Sequence, residues 1–253
     1  MKRLDPFVHL HSHTEYSLFD GISRIGELVS HVKEMGQTAL AITDHGVMYG
    51  AIYLYKECIK QGIKPIIGCE IYVTRGSRFD KSGNGKEKLA HLILLAENNE
   101  GYQNLIKICS KAWTEGYYHR PRADHELLEK YHEGLIVTSA CVGGEVPQAI
   151  LNGDMDEARK VIEFYINTFG KDNYFLEIQN HGLPEEAAVR PVLASLAKEY
   201  GLGLVATNDF HYTKKEDARS QEIKLCISTG KTLDDPYHFH FANDEFYCKS
   251  GDE

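Results

Sequence analysis

Potential metal ligands recur beside short apolar runs from His11 to His211, and this pattern constrains the fold more than any other feature. The run FVHLHSHTEYSLFDG places His9, His11 and His13 at alternate positions. Alternate side chains of an extended strand share one face, so the three imidazoles are predicted to lie on one side. Later segments each add a histidine, carboxylate or thiol: TDHG (Asp44, His45), IIGCEIYV (Glu70), LAHLILLA (His91), TSACVGGE (Cys141) and VATNDFHY (Asp209, His211). A lone histidine in a strand is common, but this many ligands at strand edges indicate one polynuclear metal site.

The composition permits one large domain without a membrane span. The chain has 253 residues, of which 42% are hydrophobic, and α/β barrels reach this size as single domains. No apolar run approaches the roughly 20 residues of a membrane helix. Six cysteines without a CxxC pair, and a start without a secretory apolar segment, indicate a reducing cytoplasm. The net charge of -9 argues against a broad DNA-binding surface, so any nucleic acid must be engaged locally.

Short apolar strands alternate with amphipathic helices along the chain. The predicted strands are 7–13, 39–43, 64–74, 89–96, 135–139, 175–178 and 204–206. The predicted helices are 24–35, 51–61, 102–114, 155–169, 184–200 and 214–228. The first helix shows the signal most clearly, because an apolar stripe at helical spacing is followed by Gly36 at its end. This alternation predicts a mostly parallel α/β barrel rather than a β-sandwich.

Barrel architecture predicts where the ligands lie. Active sites of such barrels form at the carboxyl ends of the strands, and His45, Cys141, Asp209 and His211 directly follow apolar strand runs. His91 instead opens its strand. It would reach the same end of the barrel if residues 77–88 form a long polar loop, so that strand 89–96 returns antiparallel to strand 64–74.

Seven motifs spread over almost the whole chain carry a family resemblance. They are HLHSHTEYSLFDG, ALAITDHGVMYGAIYLYKECIKQGIKPIIGCEIYV, KLAHLILLAENNEGYQNLIKICSKA, LIVTSACVGGEV, EIQNHG, ATNDFHYTKKEDA, and KTLDDP followed by DEFY. Together they resemble the polymerase and histidinol phosphatase (PHP) domain family, in the form found at the N-terminus of bacterial replicative DNA polymerases. Residues 1–250 are therefore predicted to form one PHP domain. The last three residues, 251–253, depart from the family pattern and are set apart as a short tail.

The resemblance implies a distorted seven-stranded (β/α) barrel, TIM-like, with the PHP fold; periodicity alone does not give this strand count. It also implies nine metal ligands, which are His11, His13, Asp20, His45, Glu70, His91, Cys141, Asp209 and His211. Imidazoles and a thiolate suit zinc, while carboxylates can bridge two cations. We expect three divalent ions, either zinc or manganese or alternatively iron, with Glu70 as the bridge. His9 and Asp44 are expected to support the ligands without binding metal themselves.

The implied activity is that of a metal-dependent phosphoesterase acting on the 3′ end of single-stranded DNA or on a small phosphoester. A metal-bound hydroxide would attack the phosphate, and Glu70, Asp209 and His211 would be catalytic through the metals that they hold. For this family form the resemblance implies a proofreading-type 3′ to 5′ exonuclease joined to further polymerase modules. Asn180 and His181 in EIQNHG are candidates for contacting substrate. Aromatic and basic residues within 117–122 and 237–241 suit either base stacking or an interface to those modules.

Two other functions remain open from the sequence. A PHP domain could hold metal for stability and dock the remaining polymerase modules or a separate proofreading subunit, with little catalysis. The presence of all nine ligand positions favours a competent site over this alternative. The chain could also be a stand-alone histidinol-phosphate-type phosphatase, but the polymerase-like segments PRADHELL and KTLDDP weigh against that function.

Overall fold

The computed structural model describes residues 5–82 and 89–253, which form a mixed α/β structure around one curled sheet. The strands found in this part of the chain are β1 (Ala39–Ile42), β2 (Lys64–Val73), β3 (Ala90–Ala96), β4 (Arg122–Ala123), β5 (Leu135–Thr138), β6 (Tyr174–Ile178) and β7 (Gly203–Ala206). Their order in the sheet is β1-β2-β3-β5-β6-β7, and β4 pairs with β2 off this path.

Eight α-helices cover the sheet in the described part of the chain. They are α1 (Ile25–Met35), α2 (Ala51–Gln61), α3 (Asn99–Thr114), α4 (His125–Lys130), α5 (Glu145–Leu151), α6 (Met155–Phe169), α7 (Pro184–Tyr200) and α8 (Ala218–Thr229). The helix α1 ends as predicted, because Gly36 adopts a left-handed φ of 90° and its N–H bonds back to the last turn. The helix α3 begins earlier than predicted, because the Asn98 side chain accepts a hydrogen bond from Gly101 N and caps it.

The sheet is only partly parallel. Pairing is parallel for β1 with β2, β5 with β6, and β6 with β7. The strand β3 runs antiparallel to both of its neighbours, β2 and β5. The predicted antiparallel return of this strand is therefore confirmed, and it places His91 opposite Tyr72. Residues 83–88 of the predicted polar loop lie outside the described residues.

The prediction of a distorted seven-stranded, TIM-like barrel is confirmed only in part, because the seven strands form a curled sheet that is open. Residues 7–13 do not form the regular strand that was predicted, since this segment makes single bridges from His9 to Leu40 and from Ser12 to Phe210. Three backbone bonds accompany them: Ala41 N donates to the carbonyl of His9 and His13 N to that of Phe210, each at 2.9 Å, and Thr43 N donates to the carbonyl of Ser12 at 3.0 Å. The segment thus lies against β1 and the chain after β7 without completing a ladder with either.

The hydrophobic core contains two large clusters of buried side chains. A large cluster joins β2, β3, β5 and β6 to α3, α6 and α7, with Leu94, Val137 and Leu176 among its fully buried members. A second cluster joins β1 to α1 and α2. Full burial of one such side chain contributes about 1.5–3 kcal/mol, so these clusters hold the strand ends in place. In the described residues, no helix has both the length and the apolar character to cross a membrane.

Candidate metal centre

Glu70 lies at the centre of the predicted ligands. On β2, Ile71 and Val73 point into the large core, so Glu70 faces the opposite side of the strand. Its Oε1 lies 2.8 Å from His91 Nδ1 and 3.4 Å from His11 Nε2. Its Oε2 lies 2.7 Å from His45 Nδ1 and 3.2 Å from His13 Nε2. Each carboxylate oxygen is thus flanked by two imidazoles, an arrangement that suits the predicted bridging role of Glu70.

Asp209 closes the cluster on the side of the chain that follows β7. Its Oδ1 lies 3.1 Å from His11 Nε2 and 3.0 Å from His13 Nε2. Its backbone has a φ of 40°, a left-handed conformation that aspartate tolerates better than most residues. His211 Nδ1 lies 2.9 Å from the carbonyl oxygen of Asp209, which fixes the orientation of that ring.

Asp20 reaches the centre from the turn after His13. Ile22 N donates to the carbonyl of His211 at 2.9 Å, which brings the turn to the ligands after β7. A side chain at Gly21 would place its Cβ 2.2 Å from the carbonyl oxygen of Thr14, so this tight turn requires glycine. Asp20 Oδ2 then lies 3.4 Å from His45 Nε2 and 3.7 Å from His211 Nε2.

Cys141 approaches the cluster from the loop after β5. Its Sγ lies 3.9 Å from His91 Nδ1, and Gly143 N lies 3.4 Å from the same sulfur. The loop turns sharply, since a Cβ at Gly144 would lie 1.9 Å from the carbonyl oxygen of Ser139. The sequence VGGE therefore forms a tight turn beside Cys141. All nine predicted ligands are brought together, and their binding of metal stays a prediction.

Unpaired buried atoms show that these residues fit divalent cations. Seven buried polar side-chain atoms of the cluster make no hydrogen bond with any residue that the structure describes: His11 Nε2, His13 Nε2, His45 Nδ1, Asp20 Oδ1, Asp209 Oδ1 and both oxygens of Glu70. Leaving such an atom unpaired costs about 1–3 kcal/mol. Ions among these atoms would satisfy them all at once. Three overlapping groups have ligand atoms within 4.8 Å of one another: His11, His13 and Glu70; His45, Glu70 and His91; and His13, His45 and His211.

The charges of the cluster reinforce this arrangement. Burial alone would raise the pKa of Glu70, but the imidazoles of His91 and His45 outweigh it and hold that pKa well below its usual range. The same balance, with His11 as the main neighbour, holds the pKa of Asp209 well below its usual value. Both carboxylates are therefore ionised at neutral pH and available to cations.

Glu177 orients His11 and was missed by sequence reasoning. This residue of β6 is fully buried, and its Oε1 accepts a hydrogen bond from His11 Nδ1 at 2.7 Å. The hydroxyls of Thr138 and Thr207 and the amide of Gln179 also donate to its carboxylate. With Nδ1 held in this way, Nε2 of His11 is directed at Glu70 and Asp209. The available signal was a carboxylate inside the otherwise apolar strand YFLEI.

Asp44 and Ser17 orient His13 in a similar way. The Ser17 hydroxyl lies 2.9 Å from His13 Nδ1 and donates to Asp44 Oδ1 at 2.7 Å. Asp44 also accepts hydrogen bonds from the backbone and the hydroxyl of Thr14. The geometry thus supports the expected indirect role for Asp44, and Ser17 is the link that the sequence did not reveal.

His9 does not share the position of the other two imidazoles of its segment. Its Nε2 lies 2.9 Å from the carbonyl oxygen of Lys249, and its ring packs edge-on against Phe210. Burial lowers the pKa of His9 to about 4, so the ring is neutral. The prediction that all three imidazoles share one face fails here because the segment is not a regular strand. Its ring contact with Phe210 places His9 beside the neighbour of Asp209.

His181 and Asn180 lie apart from the cavity beside the predicted ligands, and substrate contact by either residue stays a prediction. His181 is buried, and its ring nitrogens lie 2.5 Å from Glu186 Oε1 and 2.6 Å from the carbonyl oxygen of Asn208. Both of its polar atoms are therefore occupied. Asn180 is exposed, but its Oδ1 accepts a hydrogen bond from Arg190, and it lines a different cavity from the one beside the metal ligands.

Replacing Glu177 with glutamine should weaken metal binding roughly 10–100-fold, the usual cost of losing a partner that orients a metal-binding histidine. The amide removes the charge that His11 Nδ1 faces and places an N–H2 group among donors. Competition with a coloured chelator measures the dissociation constant. Glu163→Gln is the matched control, because Glu163 is exposed, lies outside the cluster of predicted ligands and accepts a hydrogen bond from the Tyr200 hydroxyl. An unchanged constant in folded E177Q would contradict this role.

The curled α/β sheet, with imidazoles, carboxylates and a thiol gathered at its strand ends, is typical of metal-dependent hydrolase domains. The chain belongs to the PHP domain family, whose sequence profile matches residues 9–181. Over 248 residues it is 50% identical to DNA polymerase III subunit alpha of Treponema pallidum, covering 98% of this chain and 21% of that protein. Over 255 residues it is 49% identical to the Deinococcus radiodurans subunit, covering 98% of this chain and 19% of that protein. The predicted family resemblance is confirmed, and the chain spans about a fifth of the length of these relatives.

The fold also has a counterpart among solved structures. An amidohydrolase from Chromobacterium violaceum matches with a TM-score of 0.55 and 15% sequence identity, over 86% of this chain and 96% of that one. At this identity the likeness concerns the fold alone. It shows that the open, curled sheet described above is shared by a distant protein.

Proposed function

We propose that this chain is a metal-dependent phosphoesterase that removes nucleotides from the 3′ end of a DNA strand. The observation that carries the proposal is the convergence of four imidazoles on Glu70 and of two of them on Asp209, where seven buried ligand atoms make no hydrogen bond with any described residue. Ions held there would act as Lewis acids toward a phosphoryl oxygen and generate the attacking nucleophile from water.

Some of the predicted ligands are buried and fixed in position, and others lie on the side from which the substrate would enter. His11 and His13 are fully buried, and Glu177 and Ser17 fix their Nδ1 atoms, so their Nε2 atoms face inward. His91 is the most exposed of the predicted imidazoles, with 26% of its side chain accessible. A phosphodiester therefore approaches from the side of His91, while the buried side keeps the ligands in position.

We propose DNA rather than a small phosphoester as the substrate because of the proteins to which this chain is similar. Those proteins are DNA polymerase III alpha subunits, about five times as long as this chain. A PHP domain joined to polymerase modules would be presented with strand ends, so those modules are the proposed partners. The net charge of -9 means that the strand is bound through few local contacts and not by a broad basic surface.

The deciding experiment pairs metal analysis with digestion of a labelled strand. We expect the dialysed chain to contain more than one transition-metal ion, since nine ligands exceed what one tetrahedral or octahedral ion can use. We also expect it to shorten a 5′-labelled single strand stepwise from the 3′ end when loaded with zinc or manganese.

A strand blocked by a 3′-terminal phosphorothioate is the matched substrate control. A folded chain with one ion or fewer would disprove the polynuclear centre. A fully loaded chain that leaves the labelled strand intact would favour the alternative in which the domain binds metal and docks other modules without catalysis.

A further inference from the structure

A cavity of about 650 Å³ opens over the least buried edge of the metal centre. Its floor includes Asp20, His45 and His91, whose side chains are 13%, 14% and 26% exposed. By contrast, the side chain of His11 is completely buried. A molecule in this cavity would therefore face the predicted ligands directly. The volume lies within the range of roughly 300–1,000 Å³ that is usual for small-molecule sites.

Aromatic rings form part of the cavity wall next to these ligands. Tyr72 packs against both of the partly buried imidazoles, with its ring centroid 6.0 Å from that of His45 and 5.3 Å from that of His91. Phe19 lines the cavity beside Asp20. Aromatic faces stack on nucleobases of any sequence, which suits an enzyme that must accept every base at a strand end.

Arg120 supplies a positive charge at the same wall. Its guanidinium carbon lies 5.4 Å from the centroid of Phe19 and 5.8 Å from that of Tyr72. The residue is exposed, and none of the described carboxylates lies within 4 Å of it. A tight turn with a left-handed φ of 61° at His119 presents it. In a chain with an acidic balance, a cation without a carboxylate partner beside a phosphoesterase centre is suited to a phosphate.

We propose that this cavity binds the terminal nucleotide of the substrate. The nucleobase stacks on Tyr72 or Phe19, Arg120 binds a backbone phosphate, and the scissile phosphate lies over His45 and His91. The recognised chemistry is a nucleoside monophosphate unit, either at a strand end or free. This inference rests on the proposed phosphoesterase function and adds to it the groups that select a nucleotide.

Binding of a 5′-fluorescent oligothymidylate with a 3′-terminal phosphorothioate tests the cavity without turnover. In the metal-loaded chain, Arg120→Gln should weaken binding roughly tenfold, as expected for a charge-assisted phosphate contact. It should also reduce the slope of log affinity against log salt by about 0.7, the value for one phosphate contact to a single strand. Tyr72→Leu should weaken binding about fivefold or more through lost stacking.

Arg159→Gln and Tyr53→Leu are the matched controls. Arg159 is paired with Glu199, and Tyr53 is 61% exposed on α2; neither lines the cavity. Competition by thymidine monophosphate identifies the source of the ligand: equal potency supports recognition of the free mononucleotide, and weaker potency supports the strand end. Wild-type affinity and salt slope in folded R120Q, together with wild-type affinity in Y72L, would overturn the proposal.

Digestion of the unmodified strand in parallel keeps the two proposals separable. If R120Q loses binding but the loaded wild-type chain cleaves nothing, the nucleotide cavity is supported and the phosphoesterase function fails. If the wild-type chain cleaves and R120Q binds and cleaves equally well, the cavity inference fails and the phosphoesterase function remains.

Discussion

Replacing Asp209 with asparagine or His13 with alanine should abolish phosphoester hydrolysis while leaving the fold largely intact. Asp209 Oδ1 lies within 3.1 Å of both His11 and His13, so the amide loses a charged oxygen where the ligands meet. His13 Nε2 faces Glu70 and Asp209 together, so its removal takes one ligand from both groups. The loss of rate should exceed the roughly 10–100-fold that follows removal of an outer partner.

The fold should survive because its core is built elsewhere. The buried strands and helices pack through leucine, valine and isoleucine side chains, and neither substitution reaches those clusters. Circular dichroism checks this directly. Asp172→Asn and His132→Ala serve as matched controls, since both residues lie outside the metal centre. Wild-type rates of hydrolysis in both folded variants would show that the catalytic site is not the one described here.

Local sequence patterns were sufficient to predict most of the sheet and helices. The prediction was good for α1 because its apolar spacing and the final glycine are both local signals. The prediction was also good for β2 and β3, because these runs of ten and seven mostly apolar residues are long enough to indicate strands. The short elements β4, α4 and α5 were missed, since two to seven residues give too little periodicity to detect.

The segment 7–13 shows that an alternating sequence pattern does not by itself determine whether a strand forms. Its pattern fits a strand, but a strand forms only when a neighbour offers a matching ladder. Here the neighbours provide single bridges at His9 and Ser12, so the sheet stays open and the imidazoles diverge. Pairing with residues that are distant in the sequence therefore decides where the His9 ring points. A local sequence pattern does not reveal this pairing.

The predicted ligands lie near the ends of strands, so local sequence was sufficient to find them. The groups that orient these ligands depend on tertiary contacts instead. Glu177 is separated from His11 by 166 residues, and the pair becomes visible only once β6 lies beside the first segment. Ser17 is only four residues from His13, yet its role depends on Asp44, 27 residues further along the chain. Sequence reasoning thus finds residue types suited to metals more readily than the hydrogen bonds that direct them.

Chelation should both lower the melting temperature and abolish activity. Measuring the two effects together distinguishes a catalytic role of the metals from a structural one. The predicted ligands come from segments spread over about 200 residues, so ions that bind only the folded chain stabilise it by mass action. Free metal at 100 times its dissociation constant contributes about 2.7 kcal/mol per site. For a chain of this size that corresponds to a shift of about 5–10 °C.

Differential scanning calorimetry with and without chelator, followed by readdition of zinc or manganese, gives the measurement. Lost activity at an unchanged melting temperature would mean that the metals serve chemistry alone. A lowered melting temperature in a chain that never hydrolysed DNA when loaded would support the docking module. No change in either property would argue against a metal site altogether. We expect both losses, because Glu70 lies beside four imidazoles from three separate segments, and a centre that holds them for catalysis also ties those segments together.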